Sequence, residues 1–168
     1  MIDWLKGKIV RKEPTYVLLD VNGVGYGITI PLSTYEELGE PEDVKELNIE
    51  LVLRENDLRL YGFHSLEEKK FFQKITNVSG IGPRTAIAML STYAAMDLMQ
   101  IINTGNVKAL TKIPGIGKKT AERIIFELQE KFELEENIRS KSQSQMQTSE
   151  TGKPNIIEDT VLALMTLG

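Results

Sequence analysis

The sequence predicts an α+β protein of several domains, and three features of the chain predict it. Residues 1–63 alternate apolar and polar residues in short runs rich in Val, Ile, Leu and Tyr, which is typical of a β-barrel. Residues 64–132 change to helical periodicity and contain a duplicated Gly-Ile-Gly motif. Residues 133–155 are rich in Glu, Ser, Gln and Lys, which indicates a flexible linker, and residues 156–168 return to a helical pattern.

The N-terminal segment predicts five strands. Asn22-Gly23 is a strong hairpin signal, because both positions of such a two-residue turn need positive φ. Residues 31–38 predict a short helix or turn, and residues 46–54 alternate cleanly as a strand. The residues of that strand predicted to point into the barrel are Leu47, Ile49, Leu51 and Leu53. Five strands in about 60 residues are typical of a small barrel of the oligonucleotide/oligosaccharide-binding (OB) type.

The segment that follows the barrel predicts several helices. Ser65-Leu-Glu-Glu68 is a capping-box signature, in which the serine and glutamate side chains each satisfy a backbone amide at the start of a helix. The apolar face predicted for this first helix consists of Leu66, Phe71, Phe72 and Ile75. A longer helix from Lys118 to Phe132 is predicted to close the segment.

One motif in the helical segment occurs twice, 35 positions apart. The first copy is Val78-Ser-Gly-Ile-Gly-Pro-Arg-Thr-Ala86, and the second is Ile113-Pro-Gly-Ile-Gly-Lys-Lys-Thr-Ala121. The identical pairs are Gly80 and Gly115, Ile81 and Ile116, Gly82 and Gly117, Thr85 and Thr120, and Ala86 and Ala121. One Gly-Ile-Gly is a weak signal, but this set of matched identities indicates a duplicated helical unit. We therefore predict a tandem helix-hairpin-helix domain.

Each hairpin has the chemistry of an anion site. Gly115 and Gly117 allow positive φ and leave no Cβ in the way of a ligand. Amides at the start of the next helix lack backbone partners and carry the positive end of the helix dipole, which favours a phosphate. Lys118 and Lys119 add charge at that point, and Ile116 is predicted to anchor the hairpin in the core. Two helical turns that simply end in a capping glycine are the plainer alternative.

Charge is distributed unevenly along the chain. Residues 1–63 carry 7 Lys/Arg and 12 Asp/Glu, a net −5, whereas residues 64–131 carry 10 and 6, a net +4. The duplicated hairpins therefore lie in the basic part of a chain whose overall net charge is −4. A local excess of positive charge favours contact with the nucleic-acid backbone, without readout of the bases.

Several classes of function are disfavoured. The sequence contains no cysteine and a single histidine, His64, which excludes disulfides, thiolate metal sites and most zinc arrangements. No apolar run approaches the ~20 residues of a membrane span, and no signal-peptide pattern begins the chain. We therefore expect a cytoplasmic protein with no membrane partner. A GxxxxGKS or GxxxxGKT loop is missing, so we do not expect this chain to hydrolyse ATP, and we expect no cofactor, no metal and no catalytic residue.

Three segments resemble the RuvA family of bacterial Holliday-junction branch-migration proteins. They are Asn22-Gly-Val-Gly-Tyr26, Leu60-Tyr-Gly-Phe63 and Leu110-Thr-Lys-Ile-Pro-Gly-Ile-Gly-Lys-Lys-Thr-Ala-Glu-Arg123. The order of barrel, paired hairpins, polar linker and small C-terminal helix matches the same family along the whole chain. Members of that family continue into a three-helix domain that binds a partner. Residues 156–168 resemble only its first helix, in a chain that is either naturally short or truncated.

The resemblance implies a function and a set of partners. The family is non-catalytic and forms homotetramers, or face-to-face octamers, that hold four-way junction DNA open and nearly flat. Its C-terminal domain engages RuvB, the hexameric ATPase that drives branch migration in homologous recombination and in DNA repair during the SOS response to DNA damage. The resolvase RuvC is a further expected partner.

The resemblance also implies which residues bind DNA. Those assigned to the DNA backbone are Gly80, Gly82, Arg84, Gly115, Gly117, Lys118, Lys119, Thr120 and Arg123. The family places an acidic pin at the junction centre, in the turn between the last two barrel strands, which here is Glu55-Asn56-Asp57. Asn56 departs from the usual pair of adjacent acids, and Asp57 follows one position later. Carboxylates there repel phosphates and favour strand separation, although a solvated turn is the commoner fate of such a tripeptide.

Two other functions fit parts of the sequence. A DNA nuclease needs convergent carboxylates, and Glu122 and Glu127 lie on one predicted helix without a clear third partner. A glycosylase needs a base-flipping pocket, which no motif indicates. A binder of RNA or single strands would use the barrel, whose net charge of −5 opposes that role.

Overall fold

The computed structural model describes residues 1–54 and 57–130. Within them the chain forms a closed barrel followed by helices, and Met1–Gln129 make one compact unit. The predictions for Glu55 and Asn56, for the linker at 133–155 and for the helix at 156–168 lie outside the described residues.

The barrel consists of β1 (Trp4–Glu13), β2 (Tyr16–Val21), β3 (Val24–Thr29), β4 (Val44–Arg54) and β5 (Asp57–Phe63). Their order around the barrel is β1-β2-β3-β5-β4, and β4 pairs with β1 to close it. Neighbouring strands are antiparallel except β3 and β5, which run parallel. This topology confirms the predicted OB-type barrel.

β1 is long enough to pair with two neighbours. Its first half, Trp4–Lys8, pairs with β4, and its second half, Lys8–Glu13, pairs with β2. The register shifts between Ile9 and Arg11, and such a bulge bends a strand and increases its twist. The buried side chains that fill the barrel are Ile9, Val17, Leu19, Ile28, Ile30, Leu38, Leu47 and Ile49.

The turn between β2 and β3 adopts the conformation predicted for Asn-Gly. Asn22 has a φ of 53° and Gly23 a φ of 87°, and the Gly23 amide donates a 2.7 Å hydrogen bond to Asp20 Oδ1. Both positive φ values match the twist of the two flanking strands, so the turn sets their register.

The tip of the β4–β5 hairpin departs from the predicted burial. Ile49 is buried and Leu51 half-buried, but Leu53 is 75% exposed and faces Leu58, which is also exposed. The prediction that Leu53 points into the core was therefore wrong. Alternation assigned it to the correct face of the strand, but the hairpin continues beyond the part of the barrel that has a core to cover that face.

The described helices are α1 (Leu32–Glu37), α2 (Leu66–Thr76), α3 (Pro83–Thr92), α4 (Ala95–Asn103), α5 (Val107–Leu110) and α6, which covers residues 118–130. Within the described ranges, no individual helix has the length and apolar character of a membrane span. Only α3 and α4 taken together reach them, and a 99° bend separates these two helices.

α2 packs directly on the outer face of the barrel. The fully buried ring of Phe72 lies 5.0 Å from the ring of Tyr61 and 5.0 Å from that of Phe63, both on β5. Tilted aromatic pairs at this separation stabilise the fold by more than the burial of their apolar surface alone. Phe71 and Ile75 are buried too, whereas Leu66, predicted on the same apolar face, is 53% exposed, and the start of α2 buries Glu68 and Lys69 instead.

A buried carboxylate links α2 to α1. Ser65 Oγ accepts a 3.2 Å bond from the Glu68 amide, as a capping box requires. The Glu68 side chain, however, turns towards α1, where Ser33 Oγ and Thr34 Oγ1 donate to it, the latter at 2.8 Å. His64 Nδ1 lies 2.8 Å from the same carboxylate. Half of the predicted capping box is thus replaced by a contact between two helices.

Further polar contacts fix the barrel against the helices. The ammonium group of Lys69, although nearly buried, bonds to the carbonyl of Asp3 at 3.2 Å and to its carboxylate. Gln73 Nε2 donates to Glu50 at 2.6 Å, and the Leu32 amide donates to Ser91 Oγ at 3.0 Å. Contacts from the residue before β1, from β4 and from α1 therefore all restrain the helical part.

Candidate nucleic-acid interface

The first hairpin lies between α2 and α3. The Ile81 amide donates to the Val78 carbonyl at 3.0 Å, which closes the tight turn. The Ala86 amide donates to the Gly82 carbonyl at 3.1 Å, so Gly82 is the residue that caps α3. Pro83 follows at the first helical position, where the missing amide hydrogen costs little.

The second hairpin, between α5 and α6, repeats this frame 35 residues later. The Ile116 amide donates to the Ile113 carbonyl at 3.1 Å, and the Ala121 amide donates to the Gly117 carbonyl at 2.9 Å. The duplication seen in the sequence is therefore a duplication of backbone hydrogen bonds. The two glycine corners, as we call residues 80–84 and 115–119, have equivalent frames.

Small and branched residues anchor both corners. Ile81 is 6% and Ile116 5% exposed, and Ala86 and Ala121 are fully buried. This confirms the prediction that Ile116 anchors the hairpin, and it extends the same role to Ile81. Because the central side chain of each corner points inward, the backbone around it faces outward.

The glycines of each corner have different conformations. Gly80 and Gly115 have φ values of 83° and 85°, a region that favours glycine. Gly82, in contrast, has a φ of −98°, and Gly117 is not among the positive-φ residues. Both glycines of the second corner allow positive φ, but only Gly115 uses it, because Gly117 directly precedes α6 and its carbonyl accepts from the Ala121 amide. A Cβ on Gly115 or Gly117 would meet no atom within 4 Å, so the approach to these backbones is open.

Cationic side chains surround the corners. Arg84, Lys118, Lys119 and Arg123 are all exposed, and Thr120 is half-buried. Lys118 Nζ lies 3.9 Å from Glu122 Oε1, one turn along α6. An exposed pair at this distance contributes about 0–1 kcal/mol, so an anion of higher charge competes with it readily.

α6 joins the two corners. A Cβ on Gly80 would lie 3.9 Å from Arg123 Nη1, which places this side chain beside the first corner although its helix begins at the second. Glu127 accepts a 2.7 Å bond from Arg123 Nε and a 3.4 Å bond from the Ser79 amide. Arg123 was predicted from the sequence, but its position between the corners was not, because it depends on how α6 packs against the first hairpin.

An open cleft of about 220 Å³ separates the tip of the β4–β5 hairpin from the first corner. Its lining residues are Val52, Asp57, Arg59, Tyr61, Gly82, Pro83 and Arg84. Arg59 Nε bonds to Asp57 Oδ2 at 2.5 Å, and this hydrogen bond, with the attraction between the two charges, raises the pKa of Arg59. Arg59 was not among the residues predicted from the sequence, because a lone arginine in a strand gives no local signal.

Of the predicted pin, only Asp57 belongs to the described residues, where it begins β5 and pairs with Arg54 across the hairpin. Over residues 1–54 and 57–130, no group of three or more His, Asp or Glu side chains could hold a metal ion. What the arrangement offers is a set of exposed amides and cations with open access, which can bind phosphate groups at each corner.

The fold and the paired corners define a class of protein, a small closed barrel joined to a tandem helix-hairpin-helix unit. A model of the RuvA N terminal domain matches residues 1–62, and a model of the SAM-like Helix-hairpin-helix tandem matches residues 72–130. Among curated relatives, the Holliday junction branch migration complex subunit RuvA of Pelobacter propionicus and that of Geobacter sulfurreducens are each 42% identical over 168 residues. These alignments cover 100% of this chain and 83% of each relative.

The protein of the same name from Coxiella burnetii is 39% identical over 168 residues, which are 100% of this chain and 82% of the relative. These similarities run through both the barrel and the helical part. The chain belongs to the RuvA family.

Proposed function

We propose that this chain is the DNA-binding subunit of a Holliday junction branch migration complex, where it holds the four-way junction open for the RuvB ATPase. The subunit itself is non-catalytic, and its work is to bind and shape DNA. The observation that carries this proposal is the pair of glycine corners with equivalent hydrogen-bond frames and exposed cations. Membership of the RuvA family supports the junction as the form of DNA that is bound.

Both corners contact the phosphates of one DNA arm. At each corner, amides at the start of a helix have no partner inside that helix and present partial positive charge to an anion. The backbone ligands are Gly80, Gly82, Arg84, Gly115, Gly117, Lys118, Lys119, Thr120 and Arg123. Contacts of this kind fix the position of DNA without reading sequence, as a protein that acts at any junction requires.

The barrel faces the centre of the junction. Its segment of the chain is acidic, with a net charge of −5 over residues 1–63, and the turn Glu55-Asn56-Asp57 carries two of those acids. Carboxylates close to phosphates in a partly dehydrated centre repel them strongly. The barrel therefore opposes a continuous duplex across the centre, while the basic helical part attracts the arms.

The assembly that this requires is a homotetramer, one subunit for each arm, or an octamer of two such tetramers. Contact with RuvB belongs to the C-terminal segment at 156–168 and the domain that it resembles, and RuvC is a further partner of the complex. The site of action is the cytoplasm, where bacterial DNA recombines and is repaired.

Removal of Lys118 and Lys119 tests the corner assignment. The double change Lys118→Ala and Lys119→Ala should weaken binding to a four-way junction and reduce its salt dependence, because each lost phosphate contact releases about 0.9 counterions fewer. Gel shifts over a salt series, with four-way junction and linear duplex as ligands and the mass of the complex measured in solution, give both quantities. The matched control is Lys6→Ala with Lys8→Ala, which removes the same charge from β1.

The outcomes separate clearly. Preference of the unchanged chain for the junction over linear duplex is expected, and equal affinity for both would overturn the proposed function. If the salt slope is the same for the Lys118→Ala, Lys119→Ala variant and for the β1 control, the corners are not part of the DNA interface, whatever the total affinity.

A further inference from the structure

One face of β5 continues from the buried interface into the open cleft. Phe63 and Tyr61 point at α2 from this face and pack on Phe72. Because side chains alternate along a strand, Arg59 and Asp57 lie on the same face as Tyr61 and Phe63. Successive residues on this face are about 6.6 Å apart along the strand. The side chains of Arg59 and Asp57 are 61% and 50% exposed, so this face of β5 changes from a packing surface at Tyr61 to a charged surface at Arg59.

Arg59 meets the first glycine corner across the cleft. Arg59 of β5 lines this cleft, and Arg84, which belongs to the corner, lines it too, together with Gly82 and Pro83. Two arginines thus line a single open space of about 220 Å³. Like charges that share one open space favour an anion there, and the planar donors of arginine suit a phosphodiester.

The partner of Arg59 positions it without consuming its outer donors. Asp57 accepts through the Nε edge of the guanidinium, so the terminal Nη groups are separate from that bond. With 61% and 50% of the two side chains exposed, the pair adds little stability, and its effect is to restrict the directions that the guanidinium adopts. A phosphate that binds to Arg59 therefore does not have to break a strong existing ion pair.

We propose that Arg59 is a DNA ligand on the barrel, and that it holds one phosphodiester of a junction arm jointly with Arg84. This inference rests on the proposed function and names a contact beyond the two corners. The acidic barrel then carries a cation at the place where an arm passes from the first corner towards the centre. Arg59 would hold the arm against the hairpin whose tip carries the pin residues.

The test compares variants of the whole chain in junction binding. Arg59→Gln should weaken junction affinity roughly tenfold and lower the salt slope by about one for each bound subunit. Arg11→Gln is the matched control, because Arg11 is an exposed strand arginine that is paired with an acid two residues away, Glu13, and it lies outside the cleft. Arg59→Lys, which keeps the charge, should retain the salt slope and recover part of the affinity.

A double-mutant cycle tests whether one phosphate is shared. If Arg59 and Arg84 hold the same group, the double variant Arg59→Gln with Arg84→Gln should lose less affinity than the product of the two single losses. Independent, multiplicative losses would overturn the shared site, and an Arg59→Gln variant that behaves like Arg11→Gln would overturn the contact itself. If Arg59→Gln lowers the thermal midpoint of unfolding, the junction affinity of Arg59→Lys, which keeps the charge, is compared with that of the unchanged chain to decide whether Arg59 contacts DNA.

Failure of this inference differs visibly from failure of the proposed function. An unchanged chain that shows no preference for four-way junctions would remove the function and the inference together. A clear preference that survives Arg59→Gln unaltered would remove the inference alone and leave the corners as the interface.

Discussion

At the scale of the residue, the glycines of each corner have separate tasks. Gly80 and Gly115 adopt positive φ and make the turn possible, whereas Gly82 and Gly117 cap the following helix. The first task belongs to folding, because other residues are strained there. The second leaves room for a ligand at the exposed helix start, and the two tasks can be separated by substitution.

Serine at the two positions of the second corner should give opposite results. Gly115→Ser should lower the free energy of unfolding by about 1 kcal/mol, because φ is 85° there. Gly117→Ser should leave it within about 0.5 kcal/mol, because serine is a good cap. Its hydroxyl would nevertheless accept from the amides that a phosphate needs, and junction binding should fall roughly tenfold.

Chemical denaturation and gel shifts measure the two quantities on the same preparations. A Gly117→Ser protein of full stability and full affinity would show that the amides of α6 take no part in binding. Equal destabilisation by both serines would mean that the cap position is strained as well.

At the scale of the element, α2 depends on a carboxylate buried at its first turn. Glu68 accepts bonds from Ser33 and Thr34 of α1 and contacts His64, so it connects the barrel segment with the helices. Its neighbour Glu67 lies on the exposed side of the same turn. Sequence alone treats the two glutamates alike, since both suit a helix N-terminus.

Alanine at these two positions should separate them. Glu68→Ala should cost about 2–4 kcal/mol in the free energy of unfolding, because it leaves the hydroxyl groups of buried Thr34 and half-buried Ser33 without their acceptor. Glu67→Ala should cost less than about 0.5 kcal/mol, the usual range for an exposed helix position. Urea denaturation of both variants measures this, and similar values for the two would show that the contacts around Glu68 contribute nothing.

Local signals predicted most of these elements. The Asn22-Gly23 turn and the duplicated corners were predictable because their backbone demands are met by residues close in sequence. The exposure of Leu53, the direction of Glu68 and the cleft at Arg59 were not, since each depends on what lies opposite in space. Strand alternation gives the face of a residue, but it does not give the extent of the core behind that face.

At the scale of the whole molecule, barrel and helices share a packed interface within the compact unit Met1–Gln129. Phe72 lies against Tyr61 and Phe63 of β5, and Lys69 bonds to Asp3, the residue before β1. The sequence divides this region at residue 63 by its change of periodicity, which marks a change of element type. Whether the two parts are independent is a question of packing energy.

Residues 1–129 should unfold in one cooperative transition, because separation would expose the buried rings of both parts. Trp4, the single tryptophan of the chain, lies on β1 and reports on the barrel by its fluorescence, whereas far-ultraviolet circular dichroism reports on the helices. Coincident denaturation curves are expected. Two distinct midpoints would show that the barrel and the helices are independent domains.

The duplication, finally, is not perfect, and one of the differences between the copies has a mechanical consequence. Pro83 stands where the second copy has Lys118, so the helix that follows the first corner starts with one amide hydrogen and one cation fewer. Arg123 restores the charge beside Gly80 but not the missing donor. If a duplex lies across both copies, as proposed above, the first copy offers it fewer donors, and the duplex would detach there first while the second copy still retains it.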